Sequence, residues 1–117
     1  MTLWAKLISL REGFGRPRVI PTLRHNPGDL RHSPHSQHPG GPAHANDIGT
    51  IDSDADGWAD LERQGRIYAE RGLTLAQAIG DFAPDNENDT AEYLAYIAEG
   101  LHVSPNTPMN EVLKISA

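Results

Sequence analysis

Three aspartates alternate along the stretch TIDSDADGW, and a glycine follows the third. Asp52, Asp54 and Asp56 could supply oxygen ligands to one cation, as the first positions of an EF-hand calcium loop do. Arg63, however, occupies the position where a bidentate glutamate must close such a loop. We therefore predict that the stretch begins a helix, with Asp54 or Asp56 as its N-cap.

Five histidines follow one another closely in the first half of the chain, and histidine is a common zinc ligand. They are His25, His32, His35, His38 and His44. Zinc sites rely on ligands that rigid elements hold in place, whereas these histidines stand among serine, proline and glycine. The segment is interpreted as an adaptable polar loop, and neither a metal nor a cofactor is expected.

Glu12 differs in its position from the other glutamates, which are interpreted as helix caps or solvated charges. It lies where an apolar stretch ends, beside Gly13 and Phe14 and before a long polar segment. A carboxyl group half-buried at such a junction keeps the proton that a general acid must donate. The alternative interpretation is a surface glutamate near the end of a helix.

Apolar residues recur at helical spacing in two parts of the chain. From Leu3 to Ile8 they predict a helix over residues 2–11. In the second half, the same spacing predicts helices over about 56–71, 74–82 and 90–100, and a short one after Pro108.

The ends of these helices carry recognisable signals. Thr74 and Gln77 form a capping-box pattern, and Asp89 precedes Glu92 by the same spacing. Gly100 is expected to end the helix that Asp89 begins.

From Arg16 to Thr50 helical periodicity disappears. Short extended pieces are expected at residues 18–20 and 48–51, and they could form a short β-hairpin. The predicted fold class is mainly α, with this loop-rich segment between the first helix and a helical lobe. One domain is expected to span residues 1–117.

Composition argues against several classes of function. The net charge of -6 disfavours a nucleic-acid groove, so no nucleic-acid partner is expected. The chain has no cysteine, which excludes a thiolate metal site and a cysteine nucleophile. No window has the ~20 apolar residues of a membrane span, and the opening MTLWAKLISL is interpreted as a structural helix.

Several motifs occur in an order that is typical of one family. The chain reads REGFGRPRVIPTLRHNPGDLR, then IGTIDSDADGWADLERQGRIYAERGLTLAQAIGDFAP, then ENDTAEYLAYIAEGL. Over roughly residues 8–108 it resembles phage and prophage proteins of the lysozyme-like superfamily. Members of that family are described as virion structural proteins and as cell-wall hydrolases.

The resemblance implies a small lysozyme-like fold in which the first helix delivers a catalytic glutamate, Glu12, to a cleft. Glu12 would protonate the glycosidic oxygen between N-acetylmuramic acid and N-acetylglucosamine. The residues implied in substrate binding, by lining the cleft or by holding its loop in shape, are His25, Asn26, Gly28, Asp29, Thr90 and Tyr93.

The chain also departs from the family pattern. Residues 53–57 read SDADG where the family has S-P-E-x-G, and His25 replaces the first of two asparagines. A glycosidase needs a second carboxylate, for which Asp29, Asp47 and Asp52 are candidates. A lytic transglycosylase uses one glutamate as acid and then as base, because the substrate closes its own ring.

Two functions of different classes therefore stay open. One is cleavage of a peptidoglycan glycan strand by a muramidase-like or lytic-transglycosylase-like reaction. The other is a non-catalytic virion or scaffold protein that binds the cell wall or a protein partner in the virion. Either function would place the protein on the virion, or in the host cytoplasm before export to the cell wall.

Overall fold

The structure, a computed structural model, describes residues 1–37 and 48–117 and is mainly helical. The helices in these two ranges are α1 Leu3–Glu12, α2 Ile20–Leu23, α3 Asp54–Glu70, α4 Leu75–Phe82, α5 Thr90–Leu101 and α6 Met109–Val112. The mainly α class predicted from the sequence is confirmed. None of the described helices has the length and apolarity that a membrane crossing requires.

The starts of α4 and α5 carry the predicted caps. The Thr74 hydroxyl accepts a hydrogen bond from the Gln77 backbone N–H, and the Gln77 side chain accepts one from the Thr74 N–H. At α5 the Asp89 carboxylate accepts from the Glu92 N–H at 3.1 Å. These bonds satisfy N–H groups that the first turn of a helix leaves without partners.

The end of α5 differs from the prediction. The helix passes through Gly100 and continues to Leu101, and His102 closes it in the left-handed conformation, with φ at 57°. Gly100 serves packing instead, because a Cβ atom there would lie 2.8 Å from the side chain of Leu7.

The start of α3 also differs from the prediction. The Ser53 hydroxyl accepts a hydrogen bond from the Asp56 N–H at 3.2 Å, so Ser53 is the capping residue. Asp54 and Asp56 lie within the first turn, where their negative charges interact favourably with the positive end of the helix dipole.

The chain divides into two compact units. Unit 1 comprises residues 1–7 and 64–117, and unit 2 comprises residues 8–63. The boundaries fall inside α1 and inside α3, so both helices supply residues to both units.

The core of unit 1 is centred on Trp4, which is fully buried. The rings of Tyr68 and Phe82 pack edge-on against it, with centroids 6.4 Å and 6.1 Å away. Such edge-to-face pairs add to the stabilisation from burial alone. Gly65 permits the close approach of α3, because a Cβ atom there would lie 3.1 Å from the Trp4 ring.

Unit 2 contains the end of α1, the short helix α2, and the first half of α3. Its buried apolar side chains include Ile8, Leu30, Ile48, Ile51 and Leu61.

The two predicted extended pieces do not pair as a hairpin within the described ranges. Arg18 has φ at 68°, and Ile20 already belongs to α2. Residues 48–51 are held by separate hydrogen bonds, from the Gly49 N–H to the Leu30 carbonyl and from the Ile51 N–H to the Arg24 carbonyl.

Gly57→Ala should destabilise the protein, although alanine is the better helix former. A Cβ atom at this position in α3 would lie 2.1 Å from the His25 carbonyl oxygen and 2.7 Å from the Pro27 ring. Because backbone must move to relieve the overlap, we expect a loss of about 2 kcal/mol in the free energy of unfolding. Urea denaturation would measure it.

Gly80→Ala in α4 is the matched control, because a Cβ atom there would have no neighbour within 4 Å. This change should stabilise the protein by about 0.5–1 kcal/mol. Equal effects of the two substitutions would contradict the close approach of α3 to residues 25–27.

Candidate functional site

Glu12 is the last residue of α1, and its side chain is half-buried. The chain turns directly after it, with Gly13 at φ 86°. The Gly13 N–H donates to the Leu10 carbonyl and the Phe14 N–H donates to the Ser9 carbonyl, which together form a Schellman motif. The glycine that follows Glu12 thus fixes where the helix ends.

The segment after Glu12 is tied to both α2 and α3. The Gly15 N–H donates to the Thr22 hydroxyl of α2 at 2.9 Å. The Phe14 ring packs edge-on against Trp58 of α3, with centroids 5.4 Å apart. The backbone on the C-terminal side of Glu12 is therefore held by defined contacts within unit 2.

Asn26 organises the loop that follows α2. Its side chain is fully buried, and its Nδ2 atom donates to the carbonyl oxygens of Leu30 and Gly49 at 2.7 Å and 2.9 Å. Its Oδ1 atom accepts from the Leu30 N–H at 2.9 Å. These three bonds hold the loop of residues 26–30 in shape against residue 49.

Gly28 and His25 differ in exposure. Gly28 is buried, and a Cβ atom there would lie 2.8 Å from the side chain of Leu61. The His25 side chain is 46% exposed, and its Nδ1 atom lies 2.7 Å from Oδ1 of Asp54. His25 can therefore reach a ligand at the surface, whereas Gly28 lets the loop approach α3.

Asp29 is a half-buried carboxyl group in the left-handed conformation, with φ at 53°. Burial raises its pKa, although the positive charges of Arg31 and Arg24 act in the opposite direction. Its Oδ1 atom is buried and has no hydrogen-bond partner among the described residues. The position therefore favours the neutral, protonated form more than a surface aspartate would.

Thr90 and Tyr93 belong to unit 1. The Thr90 hydroxyl donates to the Ala83 carbonyl at 2.5 Å, at the start of α5. Tyr93 is 1% exposed and packs edge-on against Phe82. Both side chains thus take part in packing and capping inside unit 1, whereas the five other predicted site residues lie in unit 2.

Sequence reasoning missed Asp60 as a candidate functional residue. Asp60 is buried, and its carboxylate binds His35 through both oxygen atoms. The available signal was its place in α3, directly before the buried Leu61 and one turn after Gly57. A carboxylate beside the apolar face of a helix needs a specific partner.

The acidic residues of the first half of α3 are divided between two histidines. Asp54 pairs with His25 and Asp60 pairs with His35. In residues 1–37 and 48–117, no group of three or more His, Cys, Asp or Glu side chains is arranged to hold a metal ion. The candidates His38, His44 and Asp47 lie outside the described residues.

Comparison of the chain with protein-family models, with curated proteins and with solved structures finds no match. The likeness to lysozyme-like phage proteins therefore rests on the motifs quoted above.

Asn26→Ala should destabilise unit 2, because the buried Leu30 N–H and Gly49 carbonyl lose the amide that bonds them, and the Leu30 carbonyl keeps only its bond from the Gly49 N–H. We expect the free energy of unfolding to fall by about 3 kcal/mol. Denaturation by urea would measure the loss. The exposed Asn86 offers a control, and an equal effect of Asn86→Ala would contradict the role of the buried amide.

Asp29→Asn should make the protein more stable at neutral pH. A carboxyl group with a raised pKa binds its proton more tightly in the folded state, so stability falls as pH rises above the ordinary aspartate pKa of about 3.9. Asparagine keeps the shape and tolerates the left-handed conformation. The stability difference between variant and wild type should therefore grow with pH in denaturation series, and a constant difference would contradict this account.

Proposed function

We propose that this protein cleaves glycan strands of peptidoglycan, with Glu12 as the group that protonates the glycosidic oxygen. One observation carries the proposal: Glu12 is a half-buried carboxyl group at the end of α1, in the same unit as the folded loop of residues 25–29. These features follow one another along the chain as they do in the lysozyme-like proteins that it resembles.

The reaction would break the bond between C1 of one sugar and the bridging oxygen of the next. The Glu12 proton ends on that oxygen, which leaves as a hydroxyl group. The ionised Glu12 then accepts the proton of the first sugar's own C6 hydroxyl, whose oxygen bonds to C1. One carboxyl group thus serves as acid and then as base, and no second carboxylate is needed.

The surroundings of Asp29 support this single-carboxylate route. A nucleophilic carboxylate must be ionised and accessible. Burial favours the neutral form of Asp29, and its Oδ1 atom is buried. Asp29 therefore fits the loop structure better than it fits the role of a nucleophile.

The aromatic pair Phe14–Trp58 supports a binding surface close to Glu12 in the chain. Phe14 follows Glu12 by two residues, and both rings are half-buried. Aromatic rings with part of their surface exposed provide the apolar contacts that line most ligand sites.

A specific observation favours the non-catalytic alternative, a virion or scaffold protein that binds the cell wall or a protein partner. Asn26, Gly28 and Tyr93, which the resemblance implies in substrate binding, are all buried. Ala55 stands where the family has its glutamate, and the neighbouring Asp54 is paired with His25. A fold with these features can be preserved for binding alone.

Glu12→Gln should abolish cleavage, because the amide has the shape of the carboxyl group but cannot donate its proton. We expect a fall of at least about 100-fold in the rate at which the protein clears a suspension of purified murein. Release of soluble glycan products, separated by chromatography, is the second readout. Products that end in an anhydro sugar would identify the single-carboxylate route, and reducing ends would identify hydrolysis.

Glu70→Gln is the matched control, since Glu70 is an exposed glutamate at the end of α3. It should cleave murein at the rate of the wild type. Equal cleavage by Glu12→Gln and wild type would sink the assignment of Glu12. If the wild type and Glu12→Gln bind murein equally and neither releases a product, the non-catalytic alternative is correct instead.

A further inference from the structure

The side chain of His35 lies on a buried carboxylate. Its Nδ1 atom is 2.5 Å from Oδ1 of Asp60, and its backbone N–H donates to Oδ2 of the same group at 3.0 Å. The Asp60 side chain is 2% exposed, whereas that of His35 is 47% exposed. Both oxygen atoms of a carboxylate inside α3 are thus bonded to one loop residue.

This contact joins residues 31–37 to α3. His35 lies in a turn in which the Ser36 N–H donates to the Ser33 carbonyl at 3.1 Å. The turn continues to Gln37, whose N–H donates to the Thr50 carbonyl at 2.8 Å. The position of the whole turn therefore depends in part on the bonds between His35 and Asp60.

The charges around the ring favour its protonated form. The hydrogen bond and negative charge of Asp60 raise the pKa of His35, and Asp56 adds to the effect, whereas partial removal from water opposes it. The Nε2 atom lies 3.9 Å from Oδ1 of Asp56. Both carboxylates belong to α3, and they are the charged groups that the described residues place against the ring.

A second histidine of the same loop provides a comparison. His25 also binds a carboxylate of α3, that of Asp54, but the Asp54 side chain is 58% exposed. Solvent screens exposed ion pairs of this type, and they contribute little to stability. A buried carboxylate such as that of Asp60 is costly to leave without its partner. The protonation state of His35 therefore affects stability more than that of His25 does.

We propose that His35 and Asp60 form a pH-sensitive clasp, which holds residues 31–37 on α3 while His35 is protonated and loosens when His35 is neutral. The clasp does not rest on the glycan-cleaving function proposed above. The neutral ring can still donate one hydrogen bond to Asp60, but it loses its charge and its attraction to Asp56. The turn therefore loosens and the helices stay folded.

The direction of the pH dependence follows from proton binding. A histidine whose pKa is raised on folding holds its proton more tightly in the folded protein than in the unfolded chain. Its contribution to stability is complete below the ordinary histidine pKa of about 6.5. That contribution declines as pH rises through the higher pKa of the folded state.

Nuclear magnetic resonance of the full chain tests the clasp. Over a titration from about pH 5 to pH 9, the His35 ring should change its charge at higher pH than the ordinary histidine pKa of about 6.5. In parallel, hydrogen exchange at the His35 and Gln37 amides, corrected for its intrinsic pH dependence, should lose protection. A His35 midpoint at or below about 6.5, or amide protection that does not change as His35 titrates, would overturn the proposal.

Substitutions separate the clasp from the rest of the loop. His35→Gln keeps a hydrogen-bond donor near Asp60 but cannot change its charge, so amide protection in residues 35–37 should no longer vary with pH. His32→Gln should behave as the wild type does. A pH response of wild-type size in His35→Gln would overturn the proposal.

Asp56→Asn provides an independent test that leaves the buried pair intact. Asp56 is half-exposed and its removal should not prevent folding. The midpoint of the His35 titration should fall in this variant, and protection should be lost at lower pH. An unchanged midpoint and an unchanged protection profile would count against the clasp, even if His35→Gln failed to fold.

Discussion

The buried side chain of Asn26 joins the two loop segments on which unit 2 is built. Loop backbone that is buried without strand pairing must find other partners for its N–H and carbonyl groups. One amide, with two donors and one acceptor in use, satisfies Leu30 on both sides and also reaches Gly49. Residues 26–30 and 48–51 are held together in this way, and Leu30, Ile48 and Ile51 become part of the core.

The first half of α3 is the surface on which these loops lie. Gly57 brings the helix close to the backbone of residues 25–27, because a side chain there would overlap the His25 carbonyl. Carboxylates on the same part of the helix then bind the histidines that face them. A close backbone approach and charged contacts thus fix the same loop, and the charged contacts give it a dependence on pH.

The segment after Glu12 obeys a different constraint. The Schellman motif ends α1 at a defined residue, and the contacts of Phe14 and Gly15 hold the following turn against Trp58 and Thr22. A candidate acid needs such support, because proton transfer requires a side chain at a defined distance from its substrate. The support comes from local backbone geometry and from one aromatic pair.

Local signals predicted much of the helical structure. The pattern of Thr74 and Gln77 gave the start of α4, and Asp89 gave that of α5, because a cap depends on residues within one turn. Prediction failed where a longer contact decided the outcome. Gly100 was expected to end α5, but it lies inside the helix and packs against Leu7, which is distant in sequence.

The candidate site divides in the same way. The position of Glu12 at a helix end followed from apolar spacing and the glycine after it, both of which are local. The pairing of Asp60 with His35 could not be predicted, because 25 residues separate the two along the chain.

The sequence by itself determined helices α1 and α3 to α6, the N-terminal caps of α4 and α5 and the end of α1, since each depends on the spacing of side chains within a few residues. Only the tertiary structure decided which polar side chains became buried and which histidines met carboxylates. Those outcomes depend on distant segments meeting in space, where removal from water makes each buried amide or charge require its own partner.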